Sequence, residues 1–209
     1  MFRDRNEAAN LLAKKLNPYH GQHPLVLAIP RGAVPMAKII ADMLDSDMDV
    51  VLVRKLHAPG NPEFAIGAID ETGWTYLADY ADQLVSDPAY IENEKTAQLE
   101  VMRERRNSYT PIRPPLDPKD RIVIIVDDGL ATGSTMIAAL HAIRAKHPQK
   151  LICAVPVAPA ETLAKVAPYA DEMVCLDTPE QFYAVGQFYQ SFPQVSDEEV
   201  VELLKGNNQ

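Results

Sequence analysis

One short segment, residues 121–135, constrains the fold and the chemistry of this chain most strongly: it reads RIVIIVDDGLATGST. Residues 122–126 are all β-branched, and such a run, apolar on both faces, is typical of a buried parallel strand. Two carboxylates follow the strand, and two glycines then bracket a loop that leads into a helical pattern. Hydroxyls, backbone N–H groups beside glycine and a helix N-terminus favour a bound phosphate. Because carboxylates repel phosphate, Asp127 and Asp128 suit sugar hydroxyls or a cation beside the phosphate.

This order of residues resembles the phosphoribosyl pyrophosphate (PRPP) signature of type I phosphoribosyltransferases. No Gly-Lys-Ser/Thr follows the glycines, so the loop is not a P-loop. The resemblance implies that Asp127 and Asp128 act in catalysis by holding the ribose hydroxyls, and that Mg²⁺ contacts them indirectly. It also implies that the 5′-phosphate is bound by Ala131, Thr132, Gly133, Ser134 and Thr135.

A second loop follows the first predicted strand, residues 25–29, and contains Arg31 and Gly32. In an open α/β sheet, ligands bind outside the carboxyl ends of the strands, so this loop is expected to face residues 127–135. Arg31 supplies a fixed positive charge and Gly32 lets the backbone approach closely, which together suit a pyrophosphate. The segment is similar to the pyrophosphate loop of the same family, which often contains a cis peptide. The alternative is an ordinary turn with a surface arginine.

The next cations, Arg54 and Lys55, follow the second predicted strand, residues 49–53. Val53-Arg54-Lys55 is similar to a segment of adenine phosphoribosyltransferases, which implies that both cations help to stabilise the departing pyrophosphate. A hairpin is predicted at residues 64–69 and 74–77, and Glu71 in its turn falls where the adenine enzymes carry an active-site glutamate. The resemblance therefore implies a catalytic or substrate-binding role for Glu71. The alternative is a simple turn acid.

Two features bear on the acceptor base. Hypoxanthine-guanine enzymes carry an acid directly before the Thr-Gly, whereas this chain has Ala131, as in the adenine and orotate enzymes. A general acid or base must then come from elsewhere, and Glu71 is the first choice. Phe182 and Tyr183, after the last predicted strand, are faintly similar to the base-stacking hood of 6-oxopurine enzymes. Packing in the core is an equally open role for both aromatic residues.

The order of predicted elements indicates an α/β fold, in which a mostly parallel sheet carries helices on both faces. A hairpin-and-helix insertion is expected at residues 56–120, and a C-terminal hood follows the last strand. Four prolines predict an extended connector at residues 110–118. The length fits a single phosphoribosyltransferase-like domain over residues 1–209.

Composition limits the partners of this chain. A net charge of −9 argues against a general nucleic-acid or membrane surface. The chain has no long apolar run that would suggest a membrane span or a signal peptide, so the expected location is cytoplasmic. Cys153 and Cys175 lie in apolar runs and are expected to be reduced core residues.

The resemblance implies transfer of the 5-phosphoribosyl group from PRPP to a nitrogenous base, with a purine-like acceptor favoured and pyrophosphate released. Such a transferase would use Mg²⁺ as cofactor, serve nucleotide salvage and form a homodimer. Two alternatives share the fold. One is a regulator that binds PRPP or a nucleotide with little or no catalysis, and the other is a hydrolase that uses water instead of a base.

Overall fold

A five-stranded parallel sheet forms the centre of the computed structural model, which describes residues 1–109 and 114–206. Its strands are β1 (Leu25–Ala28), β2 (Asp47–Val50), β6 (Ile122–Val126), β7 (Lys150–Val157) and β8 (Glu172–Asp177). They lie in the order β2-β1-β6-β7-β8, and every neighbouring pair is parallel. The predicted parallel sheet is confirmed. Because β1 and β6 are neighbours, the loops that follow them open at the same edge of the sheet.

Helices cover both faces of this sheet. They are α1 (Arg5–Lys15), α2 (Val34–Leu44), α5 (Ser134–Arg144), α6 (Ala160–Val166) and α7 (Asp197–Lys205). All five residues of β6 are buried, and they alternate between two apolar cores. Ile124 joins the core that contains Leu12 and Ile40, while Ile125 joins the core that contains Ile137. This alternation explains why the strand is apolar throughout.

A second, antiparallel sheet, called the ribbon below, consists of β3 (Val53–Ala58), β4 (Asn61–Asp70) and β5 (Thr75–Leu77). The short helix α3 (Ala81–Leu84) and the long helix α4 (Pro88–Tyr109) follow it. The predicted hairpin is confirmed, and so is a second parallel strand, but the expected bounds of that strand, residues 49–53, are wrong. The chain leaves the parallel sheet after Val50, and Val53 pairs with Asp70 instead. Arg54 and Lys55 therefore lie within an antiparallel strand, because β4 offers Val53 a hydrogen-bonding partner that local sequence does not reveal.

The first residues of the chain pair with the segment that follows the last strand. The backbone of Phe2 donates to Phe188 at 2.7 Å and accepts from Gln190 at 2.9 Å. Residues 178–195, called the tail below, are irregular except for a 3₁₀ turn at Val185–Phe188. The predicted connector at 110–118 lies partly outside the described residues, and residues 114–118 have no regular structure. Within the described ranges, no helix is long and apolar enough to cross a membrane.

Candidate functional site

A cavity of about 620 Å³ opens at the carboxyl edge of the parallel sheet. Four separate parts of the chain line it: the loop after β1, the ribbon with the segment that follows it, the loop between β6 and α5, and the tail. Among the predicted site residues, the cavity is lined by Gly32, Lys55, Asp127, Asp128, Ala131, Thr132, Gly133, Thr135 and Tyr183. The topology thus brings together loops that are far apart in sequence.

The loop of residues 127–135, called the signature loop, has a backbone that requires glycine. Gly133 adopts a φ of +79° as the N-cap of α5, and a Cβ atom there would overlap Val166 and Thr162. The Thr162 hydroxyl of α6 donates to the carbonyl of Ala131 at 2.7 Å, which fixes the loop against that helix. The buried Ser134 hydroxyl lies 3.3 Å from that of Thr132. The predicted phosphate-binding groups are therefore held at a helix N-terminus.

Asp127 and Asp128 form a charged wall of the cavity. Burial raises the pKa of Asp127 well above its usual range, and the charge of Asp128 adds to this effect. Burial also raises the pKa of Asp128, although the nearby Arg5 and Lys55 oppose the rise. The backbone N–H of Asp128 donates to Oδ1 of Asp127 at 2.8 Å. Two carboxylates that repel each other in a desolvated site are suited to hydroxyl donors or a cation.

Arg5, in the first turn of α1, is a site residue that the sequence did not reveal. Its Nε and Nη2 lie 2.9 and 2.8 Å from Oδ2 of Asp128. The carbonyl of Asp128 accepts a hydrogen bond from the Tyr189 hydroxyl at 2.7 Å. Burial raises the pKa of that tyrosine strongly, so it stays neutral. Both the side-chain carboxylate and the backbone carbonyl of Asp128 are thus held by residues outside the signature loop.

The loop after β1 contributes backbone to the cavity and directs its arginine elsewhere. The Pro30–Arg31 peptide is cis. A Cβ atom at Gly32 would overlap the Asp128 carboxylate, so only glycine allows this approach. Arg31 does not line the cavity, and its Nη1 lies 3.3 Å from Oδ2 of Asp197 in α7.

The two cations of β3 lie in different environments, Lys55 at the cavity and Arg54 beside α4. Lys55 lines the cavity and lowers the pKa values of Asp127 and Asp128 through its charge. Arg54 does not line it, and its Nε donates to Oε1 of Gln98 at 2.9 Å. Burial, followed by the charges of neighbouring arginines, lowers the pKa of Arg54. Alternation along the strand separates the two side chains.

Glu71 lies in the turn between β4 and β5, outside the cavity lining. Its two carboxylate oxygens accept from Nε and Nη2 of Arg106 at 2.9 and 2.6 Å. An active-site role for Glu71 therefore requires that this ion pair open, and the role stays a prediction.

Aromatic side chains from two separate parts of the chain line the cavity. Phe64 and Tyr80, on the ribbon and just after it, contact each other with ring centroids 5.6 Å apart. Tyr183 and Phe192 of the tail also line the cavity, and Tyr183 is 85% exposed. Phe182 does not line it and packs against Phe188 and the core, with ring centroids 5.0 Å apart. No sequence motif marked Phe64, Tyr80 or Phe192.

The donor set fits a magnesium ion that is shared with substrate. Among the described residues, no group of three or more His, Cys, Asp or Glu side chains is arranged to hold a metal ion. Asp127 and Asp128 offer two half-buried carboxylates, and partial burial raises the pKa of both. Mg²⁺ commonly binds through one or two carboxylates, water and substrate phosphates. The pair suits such an ion only when substrate supplies further oxygens.

Comparisons with known proteins agree with this geometry. The chain is 42% identical over 205 residues to a Mycobacterium tuberculosis protein named "Putative phosphoribosyl transferase". That alignment covers 98% of this chain and 46% of the relative, so the chain spans about half the relative's length. The crystal structure of TT1426 from Thermus thermophilus is 43% identical, covers 100% of this chain and 99% of that chain, and has a TM-score of 0.82.

A more remote structure shares the fold alone. It is a hypothetical protein from Neisseria gonorrhoeae with bound ppGpp, 11% identical, with a TM-score of 0.50 and coverage of 97% of this chain and 92% of that chain. The family model described as "Phosphoribosyl transferase domain" matches residues 4–191, which include the whole cavity except Phe192. The resemblance found in residues 121–135 is confirmed, and this chain belongs to the phosphoribosyl transferase domain family.

Proposed function

We propose that this protein transfers the 5-phosphoribosyl group of PRPP to a nitrogenous base, with a purine-like acceptor favoured, and releases pyrophosphate. One observation carries the proposal: a helix N-terminus with hydroxyls, two desolvated carboxylates and a cation line one cavity. The signature loop would bind the 5′-phosphate through Thr132, Thr135 and the backbone from Ala131 onward. Asp127 and Asp128 would accept hydrogen bonds from the ribose hydroxyls.

The charges around the cavity match those of the reaction. A nitrogen atom of the base forms a bond to C1 of the ribose while the bond from C1 to the pyrophosphate oxygen breaks. Positive charge develops on the ribose ring, which lies beside the carboxylates in this arrangement. Negative charge collects on the pyrophosphate, where the Lys55 ammonium group and the backbone around Gly32 are available. Arg31 and Arg54 could assist only by turning from Asp197 and Gln98.

The aromatic residues support a flat acceptor. Phe64 and Tyr80 line the cavity from the ribbon and the segment after it, and Tyr183 and Phe192 line it from the tail. A planar heterocycle in contact with such rings gains apolar contact, and stacking is expected from Tyr183, which is 85% exposed, rather than from Phe192, which already packs on Arg5 and Tyr189. Ala131 cannot exchange a proton with the base, so we propose Glu71 for that role. The proton on the attacking nitrogen would pass to Glu71 after its pair with Arg106 opens.

Asp127 and Asp128 would hold Mg²⁺ indirectly, together with oxygens of PRPP. When bound, the ion would neutralise charge on the pyrophosphate. We further propose a homodimer in the cytoplasm, acting in nucleotide salvage on small molecules rather than on nucleic acid or membranes. The net charge of −9 supports the absence of a nucleic-acid partner.

The proposal is tested by measuring pyrophosphate release from PRPP in the presence of Mg²⁺, with and without each member of a panel of bases. Calorimetry on the same preparation measures PRPP binding separately. Base-dependent release supports the transferase. Release without any base indicates the hydrolase, while binding without release indicates the regulator. A protein that neither binds PRPP nor releases pyrophosphate would overturn the assignment of the site.

A further inference from the structure

All three nitrogen atoms of the Arg5 guanidinium group, and the plane of the group, make contacts at the site. Nε and Nη2 both donate to Oδ2 of Asp128, at 2.9 and 2.8 Å. Nη1 donates to the carbonyl of Pro193 in the tail at 2.6 Å. The plane of the group also lies over the ring of Phe192, with the central carbon 3.8 Å from the ring centroid. One side chain therefore contacts both a predicted ribose-binding carboxylate and a wall of the cavity.

This arrangement is built into the fold. The Asp4 side chain caps α1 by accepting from the backbone N–H of Glu7 at 2.9 Å, which fixes the backbone at Arg5. The side chains of Arg5 and Asp128 are only 11% and 16% exposed. A Cβ atom at Gly32 would meet both Asp128 and Nη2 of Arg5, so the loop after β1 closes over the pair. Loose surface ion pairs lack this degree of enclosure.

We propose that Arg5 is a positioning residue, which orients the Asp128 carboxylate and fixes the tail against the cavity at the same time. This inference rests on the proposed phosphoribosyl transfer. Asp128 has two oxygens, and Arg5 occupies Oδ2. The other oxygen is then left to face the ribose, in one orientation. The contacts to Phe192 and Pro193 hold the tail wall where a base would bind.

Arginine is required for this role because it combines three properties. Its planar fork reaches one carboxylate oxygen with two N–H groups, its third nitrogen reaches a carbonyl, and its flat face packs on an aromatic ring. A lysine at this position would keep the charge and lose the fork and the stack. The conservative substitution therefore separates charge from geometry.

The experiment compares Arg5→Gln, Arg5→Lys and Arg5→Ala with Arg3→Gln. Arg3 lies in the same N-terminal segment, and its side chain is 73% exposed and pairs with Glu7. We expect Arg5→Gln and Arg5→Lys to lower kcat at least tenfold, because the Asp128 carboxylate would no longer be held in its reactive orientation. KM for the base should rise, because the tail wall would no longer be fixed. KM for PRPP should change less, since the signature loop is intact. Free guanidinium ion should restore part of the kcat of Arg5→Ala.

A second readout does not depend on activity. Hydrogen exchange of the tail should quicken in Arg5→Gln and stay unchanged in Arg3→Gln, while exchange in α5 is the same in both. Unchanged tail exchange in Arg5→Gln would overturn the inference, and so would parent values of kcat and base KM. If the parent protein shows no PRPP-dependent reaction, the proposed function fails, and faster tail exchange would still establish that Arg5 fixes this wall.

Discussion

The indole ring of Trp74 stacks on the imidazole of His141, with ring centroids 3.6 Å apart and an interplanar angle of 8°. Trp74 lies in the turn of the ribbon and His141 lies in α5, the helix that begins at the signature loop. Beneath them, Oδ1 of Asp70 accepts from the backbone N–H groups of Thr72 and Trp74 at 2.8 and 3.1 Å. This contact therefore anchors the ribbon, which carries Lys55 and Phe64, to α5.

Replacing the indole should loosen this anchor. We expect Trp74→Ala to destabilise the fold by about 2 kcal/mol, below the usual cost of a fully buried tryptophan because Trp74 is partly exposed. A loss of that size lowers Tm by about 4–8 °C in a protein of this length. Thermal unfolding measures it, and Tyr183→Ala, at a highly exposed position, is the control. An unchanged Tm in Trp74→Ala would show that the stack does not hold the ribbon.

The raised pKa values of Asp127 and Asp128 predict that these carboxyl groups lower the stability of the fold at neutral pH while serving the reaction. A carboxyl whose pKa is higher in the folded state favours folding when protonated. That contribution is present at low pH and is lost as pH rises through the folded-state pKa. At pH 7, Asp127→Asn should therefore raise Tm by several degrees, because it removes a half-buried carboxyl whose ionisation is disfavoured beside Asp128. The gain should shrink as pH falls toward the ordinary aspartate range, about 4.

Two measurements complete this test. Asp82→Asn, at an exposed position in α3, should leave Tm nearly unchanged at both pH values. The turnover of Asp127→Asn should fall by about a hundredfold, the scale expected for a positioned electrostatic group. A Tm gain that persisted unchanged at pH 4 would mean that the charge of Asp127 is not its cause.

Ligand binding at the signature loop should appear as thermal stabilisation, because the loop exists only in the folded state. PRPP or a nucleoside 5′-monophosphate is expected to raise the parent Tm. Thr132→Ala combined with Thr135→Ala should remove most of that shift, since both hydroxyls line the cavity. Thr96→Ala, on the exposed surface of α4, serves as the control. The same shift in the double variant as in the parent would place the phosphate elsewhere.

Glu71 and Arg106 form a matched pair for locating the acid or base. If Glu71 exchanges a proton with the base, Glu71→Gln should lower kcat at least tenfold and leave PRPP affinity nearly unchanged. Arg106→Gln also breaks the ion pair but leaves the carboxylate, so it should retain most of kcat. Steady-state kinetics on the best acceptor measures both variants. Equal kcat values for the parent and Glu71→Gln would confine Glu71 to its pair with Arg106.

The signature strand, loop and helix could be predicted because their determinants are neighbours in the chain. A β-branched run, a pair of carboxylates and a glycine at the helix N-terminus are read without knowledge of distant contacts. The same holds for the β-α-β order, which specified a parallel sheet and placed the loop after β1 near the signature loop.

Contacts between distant segments were decided only by the tertiary structure. Arg5 and Asp128 are 123 residues apart, and no local pattern distinguishes Arg5 from other arginines in helices. Arg54 and Lys55 follow an apolar run. Only the pairing of β3 with β4 makes this segment a strand, so that the two side chains lie on opposite faces of it. The chemistry of a side chain follows from its residue type alone, whereas the residues that it contacts depend on how the whole chain packs. Local sequence was therefore enough to predict the signature loop and the parallel sheet, whereas packing established which charges, rings and loops complete the cavity.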